Sequence, residues 1–87
     1  MSKDLIVGII TSWNYENDEG EIKVGNEIYS FLGSEIIGYT SPDVGMTVSF
    51  YDIAGWGYEV FIGSINDRTK FIWSEINFKD AVEGLNQ

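Results

Sequence analysis

Five carboxylates crowd one short stretch of the chain, Glu16, Asp18, Glu19, Glu21 and Glu27, with Lys23 the one cation among them. Three chemistries suit such a cluster. A calcium loop needs oxygen ligands at alternate positions before a central glycine and a bidentate glutamate after it. Here Tyr15 falls on the first ligand position and the downstream glutamate is missing, so no metal is expected. Acid–base catalysis needs a cleft that perturbs the proton affinities of its carboxylates; adjacent solvated side chains on a hairpin supply none. The third chemistry is electrostatic: an anionic face that imitates a phosphate backbone or docks on a basic partner surface. An ordinary solvated charge run stands beside it as the plain alternative.

A second set of residues could stack on nucleobases. Trp13, Tyr29 and Phe31 offer rings, and Lys23 offers a charge for phosphate, with Arg68, Lys70 and Lys79 in reserve. The turn aromatics Tyr15, Trp56 and Tyr58 either close a barrel end or add to a contact surface. No cysteine and no histidine occurs. That removes disulfides, thiol catalysis, imidazole base chemistry and Cys/His zinc sites. An enzyme is therefore not expected, nor a cofactor, and a cysteine-free chain fits a reducing cytoplasm. No signal-peptide pattern and no apolar run of spanning length is read from the sequence.

The chain has 87 residues, which suits one domain near the lower limit for a self-sufficient core. Its net charge is −9 and is unevenly spread. Residues 1–65 hold ten acids and two lysines, −8; residues 66–87 hold four acids and three bases, −1. Such a body repels polyanions at long range and attracts basic partners.

Period-two patterns and turn signals dominate the first 65 residues. Strands are expected in "DLIVGIITSW", "EIKV", "EIYSFL", "MTVSFYDI" and "YEVFIGSI". Gly25–Asn26 suits a two-residue hairpin turn. In "EIKV", Ile22 and Val24 share one face and Glu21 and Lys23 the other. In "EIYSFL", Ile28 is assigned to the core, which turns Tyr29 and Phe31 outward. The single proline, Pro42, lies in a longer connection, "GSEIIGYTSPDVG", that admits no regular helix or central strand. Five short strands in this length predict an all-β, five-stranded barrel, closed or nearly closed, over residues 1–65. Residues 66–87 form a C-terminal extension. There "TKFIW" reads as more sheet, and "SEINFKDAVEGL" as a short helix with Ser74 as its N-cap. Phe71, Trp73 and Phe78 are expected to fold back over the barrel, or else to make an interaction or dimer face.

Three stretches together resemble the cold-shock domain family, whose fold is of the OB type. "GIITSW" is similar to that family's first strand. "EGEI … EIYSF" lies where its two RNA-binding motifs lie, and "PDVGMTVSF" matches its loop glycine and the strand that follows. The resemblance covers residues 5–65 and implies single-stranded RNA or DNA binding by surface aromatics with basic help. It places Trp13, Tyr29 and Phe31 at stacking positions. The first motif departs from the pattern: in "DEGEI" Gly20 is kept, but Glu19 and Glu21 stand where aromatics belong and Asp18 where a lysine belongs. Trp13 also lies one residue further from Gly8 than the family spacing, which flips it to the other face unless a bulge absorbs the shift. The expectation is thus a protein-interaction or regulatory module that meets a basic partner surface through Glu16, Asp18, Glu19, Glu21 and Glu27. The alternative is a weak single-stranded nucleic-acid binder using Trp13, Lys23, Tyr29 and Phe31.

Overall fold

The structure, a computed structural model, describes residues 4–85, with side chains through residue 77. Six strands are present: β1 (Leu5–Asn14), β2 (Glu19–Val24), β3 (Glu27–Leu32), the two-residue β4 (Ile36–Ile37), β5 (Thr47–Ile53) and β6 (Trp56–Ile62). A single turn of 3₁₀ helix, Gly33–Glu35, precedes β4, and one α-helix, α1 (Ile65–Leu85), follows β6. The hydrogen-bonded order is β3-β2-β1-β5-β6-β4, and β3 also pairs in parallel with β6. That last pairing, Ser30 with Trp56 and Phe31 with Gly57, closes β1, β2, β3, β5 and β6 into an all-β barrel of the OB type.

β1 is long because it serves both halves of the barrel. Leu5–Ile9 pair with β5, and Ile9–Asn14 pair with β2. Its ladder to β2 slips between Ile10 and Ser12. A bulge of this kind inserts one residue and changes the phase of everything after it. Ile10 and Trp13 consequently both turn toward the interior, where strict alternation would have sent Ser12. The bulge that the resemblance requires for Trp13 is present, but it delivers the ring into the barrel end and not onto an outer face.

The core consists of Ile10, Ile22, Phe31, Val48, Phe50 and Val60, all without solvent-accessible surface. Ile6, Trp13, Val24, Tyr29, Ile36, Met46 and Ile62 pack around it. The expected phase of β3 is therefore inverted. Phe31 is in the core and Tyr29 lies edge-on to Phe50, at 5.3 Å between centroids, while Ile28 is exposed. Every residue of "IYSFL" but Ser30 is apolar or aromatic, so alternation alone cannot choose the buried set. Packing chooses it: Phe31 stacks on Trp13 at 5.5 Å across Gly20, and a ring fills that barrel end where Ile28 could not.

Gly20 is what permits this stack. It pairs with Trp13 on one side and Phe31 on the other. A methyl group at Gly20 would lie 2.8 Å from each ring and 2.6 Å from the Ser12 carbonyl oxygen, well inside contact distance. The two tight turns follow hairpin chemistry. Gly25 takes φ 59 in the Gly25–Asn26 turn, the positive φ that a primed turn demands. In the β5–β6 turn Ala54 and Gly55 take φ 54 and 86, and the Gly55 N–H donates to Asp52 Oδ1 at 2.8 Å.

α1 corrects the reading of the tail. It begins nine residues before Ser74, which lies inside the helix and caps nothing, and "TKFIW" is helical and not sheet. The cap is Ser64, whose Oγ accepts a hydrogen bond from the Asp67 N–H at 3.0 Å. Ser64 with an acid three residues on is an N-terminal capping pattern. One turn into the helix, Arg68 is almost wholly buried. Its place is set by a second bulge, in the β5–β6 ladder, where Ser49 pairs with Phe61 but Tyr51 pairs with Tyr58 and Glu59 takes φ 50. Arg68 Nη1 donates to the Ser49 carbonyl at 2.8 Å, the Glu59 carbonyl at 2.7 Å and Ser49 Oγ at 3.3 Å. Its guanidinium carbon lies 5.2 Å from the Tyr51 ring centroid, within cation–π reach. One turn further, Phe71 packs on Phe61 and Tyr39, and the Tyr39 hydroxyl donates to Glu75 Oε1 at 3.2 Å. Phe78 and Lys79 lie outside the residues with described side chains.

Candidate binding face

The registers of β1, β2 and β3 generate the outer face of this side of the barrel. Opposed residues in neighbouring strands hold their Cβ atoms about 5 Å apart. Three outward rows result: Asn14–Glu19–Leu32, then Ser12–Glu21–Ser30 with Trp56 beyond it on β6, then Ile9–Lys23–Ile28. A polar depression of about 240 Å³ opens along the first two rows. Ser12, Asn14, Asn17, Glu19, Glu21 and Ser30 line it, and Gly20 forms its floor.

The polar groups there are partly fixed. Asn14 Oδ1 accepts from the Glu16 and Asn17 backbone N–H groups at 2.9 and 3.2 Å, which leaves its NH₂ free to donate. Ser12 Oγ donates to Glu21 Oε1 at 3.2 Å, leaving the other Glu21 oxygen open. The face thus presents carboxylate acceptors with a few neutral donors, a set that favours a cationic or neutral partner over an anionic one. Proton-transfer catalysis is poorly served, because Glu21 is solvent-exposed and the depression is open to water. Among the described residues no group of three metal-ligating side chains converges.

The five carboxylates do not form one cluster. Glu19 and Glu21 line the depression, and Glu16 stands exposed on the adjoining turn. Asp18, at φ 54, ties the turn to the end of β3, its carbonyl accepting from the Gly33 N–H at 2.8 Å and its carboxylate lying against Gly33. Glu27 is at the far end of the hairpin, opposite Val24, five residues along from Glu19. At about 3.3 Å per residue that is some 17 Å away. There its carboxylate accepts a 2.6 Å hydrogen bond from the Tyr29 hydroxyl. This bond, reinforced by partial burial and by the negative charges of Glu27 and Asp52, pushes the Tyr29 phenol up to about 12.

The stacking set is corrected more sharply. Phe31 has no accessible surface, Trp13 is sandwiched against it with Nε1 buried and unbonded, and Tyr29 lies over Phe50 at the barrel mouth. Of the four residues offered for nucleic acid, Lys23 alone stands on the outer face. Arg68 is locked under α1, so it is not available to a phosphate. The sequence reading does not include Ser12, Asn14, Asn17 and Ser30; Trp56, offered there as a contact-surface aromatic, ends the second row. Ser30 carried a signal, being the one small polar residue of β3 and in phase with Leu32; Asn14, opening a polar turn, carried another.

No family model matches the chain, and neither a curated protein nor a solved structure matches it.

Proposed function

We propose that this chain is a non-enzymatic, cold-shock-like OB module whose outer β1–β2–β3 face binds a basic protein surface. One observation carries the reading. At the centre of that face Glu19 and Glu21 point outward around a polar depression, while the neighbouring rings of Trp13 and Phe31 point inward. The outward positions of this strand pair therefore hold carboxylates where the resembling family holds base-stacking rings. The −8 charge of residues 1–65 supports the same partner class, since it steers cations toward the face and polyanions away. The partner is expected in the cytoplasm, in keeping with a chain free of cysteine.

The test is a fluorescence-anisotropy titration of a labelled Lys/Arg-rich peptide with the full chain, run beside an oligo-pyrimidine strand. The peptide is expected to bind, to weaken as salt rises, and to lose at least about tenfold in affinity with Glu19→Lys/Glu21→Lys. Asp4→Lys/Asp43→Lys changes the net charge equally, away from the face, and is expected to matter much less. Equal losses from the two double variants would reduce the effect to net charge. Tighter binding of the oligonucleotide than of the peptide would replace this reading with the nucleic-acid one.

A further inference from the structure

The row Ser12–Glu21–Ser30–Trp56 joins two features that meet solvent side by side, the polar depression and an exposed ring. The depression ends at Ser30, and the β3–β6 pairing sets Trp56 beside Ser30 one strand further on. Trp56 is 39% exposed. Trp13 stacks on Phe31 and meets Tyr15 edge-on, whereas Trp56 has no aromatic partner among the described residues. A large ring left on the surface at the rim of a depression is a platform for a flat or cationic group.

The acceptors next to that ring are open. Among the described residues the Glu19 carboxylate accepts no hydrogen bond, Glu21 accepts one at a single oxygen, and the one ion pair is Arg68 with Glu59. Lys23 shares the outer face with Glu21, two residues along β2, yet pairs with neither carboxylate. The row therefore holds a ring and unneutralised carboxylates within reach of one another, and no cation of the chain occupies the space between them.

We infer that this row is an arginine subsite: one guanidinium of the basic partner lies over Ser30, against the Trp56 ring on one side and the open Glu21 and Glu19 oxygens on the other. The inference rests on the basic-partner reading above and says which cation that partner offers. Two strand spacings, about 10 Å, separate Glu21 from Trp56, a span that the two side chains and one planar group between them fill. Glu19 and Glu21 stand about 7 Å apart along β2, so a donor that serves both must spread its N–H groups. A guanidinium carries five of them in a rigid plane, is weakly hydrated and stacks on aromatic faces; an ammonium is a compact, strongly hydrated point charge. In a depression open to water, where a lysine gains little by giving up its hydration, the arginine is the better fit. A nucleobase would use the ring too, but it brings a phosphate up to the carboxylates.

Two labelled peptides of equal length and charge, one alternating Arg with Ser and the other Lys with Ser, test the inference when titrated with the full chain by fluorescence anisotropy. The Arg peptide is expected to bind at least about threefold tighter. Trp56→Ala is expected to remove that preference, weakening the Arg peptide about three- to fivefold and the Lys peptide little, while Trp56→Phe keeps part of it. Ser30→Val fills the space between ring and carboxylates without changing the charge. It is expected to act as Trp56→Ala does, and it carries the test should circular dichroism show Trp56→Ala unfolded. Because one group touches both ends of the row, Trp56→Ala is expected to cost less in a Glu21→Gln background than in the parent chain. Equal affinities for the two peptides, equal losses of both in the variants, or losses that simply add with Glu21→Gln would each overturn the arginine subsite and leave the basic-partner reading standing. Failure of both peptides to bind the parent chain would overturn that reading and the subsite with it.

Discussion

The two sides of the barrel meet solvent in opposite ways. On the β1–β2–β3 side the β1–β2 ladder resumes after its bulge and pairs to its end, the outward side chains are polar or scattered aliphatics, and a shallow depression lies open between Glu19 and Glu21. On the β5–β6 side a bulge shifts the ladder between Ser49 and Tyr51, and the tail returns a cation that donates to the Ser49 and Glu59 carbonyls. An unpaired buried carbonyl is costly, and a charged donor that reaches two of them at once stabilises strongly. The tail thus completes the barrel on one side and leaves the other open to solvent.

The largest effect is expected from breaking the filled side. Arg68→Met keeps much of the side chain's length and apolar stem but removes the donor to both carbonyls and leaves Glu59 without its 3.9 Å partner. A loss of about 3 kcal/mol is expected, a large share of the roughly 4–13 kcal/mol open to a domain of this size. Urea denaturation measures it. Arg68→Lys keeps the charge but not the fork, and is expected to fall between the two. A midpoint unmoved by Arg68→Met would mean that α1 merely rests on the barrel, and the contrast between the sides would vanish.

Gly20→Ala probes the inner layer beneath the open side. The added methyl group collides with the Trp13 and Phe31 rings and with the Ser12 carbonyl. Overpacking of this sort costs about 2 kcal/mol. Because Trp13 is stacked on Phe31, a shifted tryptophan emission should accompany the loss. Normal stability with normal emission would show that the stack adjusts, and that Gly20 is not what holds Trp13 inward.

Much of this contrast was legible in the sequence, and the illegible part has definite causes. The strand spans, the Gly25–Asn26 turn and the outward Glu21 and Lys23 follow from alternation and turn chemistry. The phase of β3 does not, because Ile28, Tyr29, Phe31 and Leu32 could each be buried, and the acid Glu27 falls in phase with the buried set. The position of Trp13 depends on a bulge that local sequence does not announce. The start of α1 is hidden in the sequence because Thr69, Phe71, Ile72 and Trp73 favour strands, although Ser64 and Asp67 form a capping pattern ahead of them. Arg68 reads in the sequence as a reserve phosphate contact; only the β5–β6 packing reveals the carbonyls it donates to.

Charge reversal on the open side should leave folding almost untouched. Glu19→Lys/Glu21→Lys removes one exposed hydrogen bond, from Ser12 to Glu21, and lowers the net negative charge. The urea midpoint should move by less than about 0.5 kcal/mol equivalent. A loss as large as that of Arg68→Met would mean that these carboxylates hold the barrel together, and the open side would cease to be the free one.

The smallest effect is confined to alkaline solution, at the mouth between the two sides. Tyr29 keeps its proton in the folded state up to about 12, first because its hydroxyl donates to Glu27, then through partial burial and the charges of Glu27 and Asp52. An unfolded tyrosine ionises near 10. The protonated form is thus favoured by folding, so its contribution is complete below pH 10 and is lost as pH rises from 10 toward 12. Tyr29→Phe removes the hydroxyl and with it this slope, leaving stability between pH 10 and 12 flatter than in the parent chain. Urea midpoints taken across that interval, beside tyrosinate absorbance of the folded protein, measure both quantities. Equal slopes in parent and variant would show that the Glu27 bond does not persist in solution. Tyr29 would then be held at the barrel mouth by its contact with Phe50 alone.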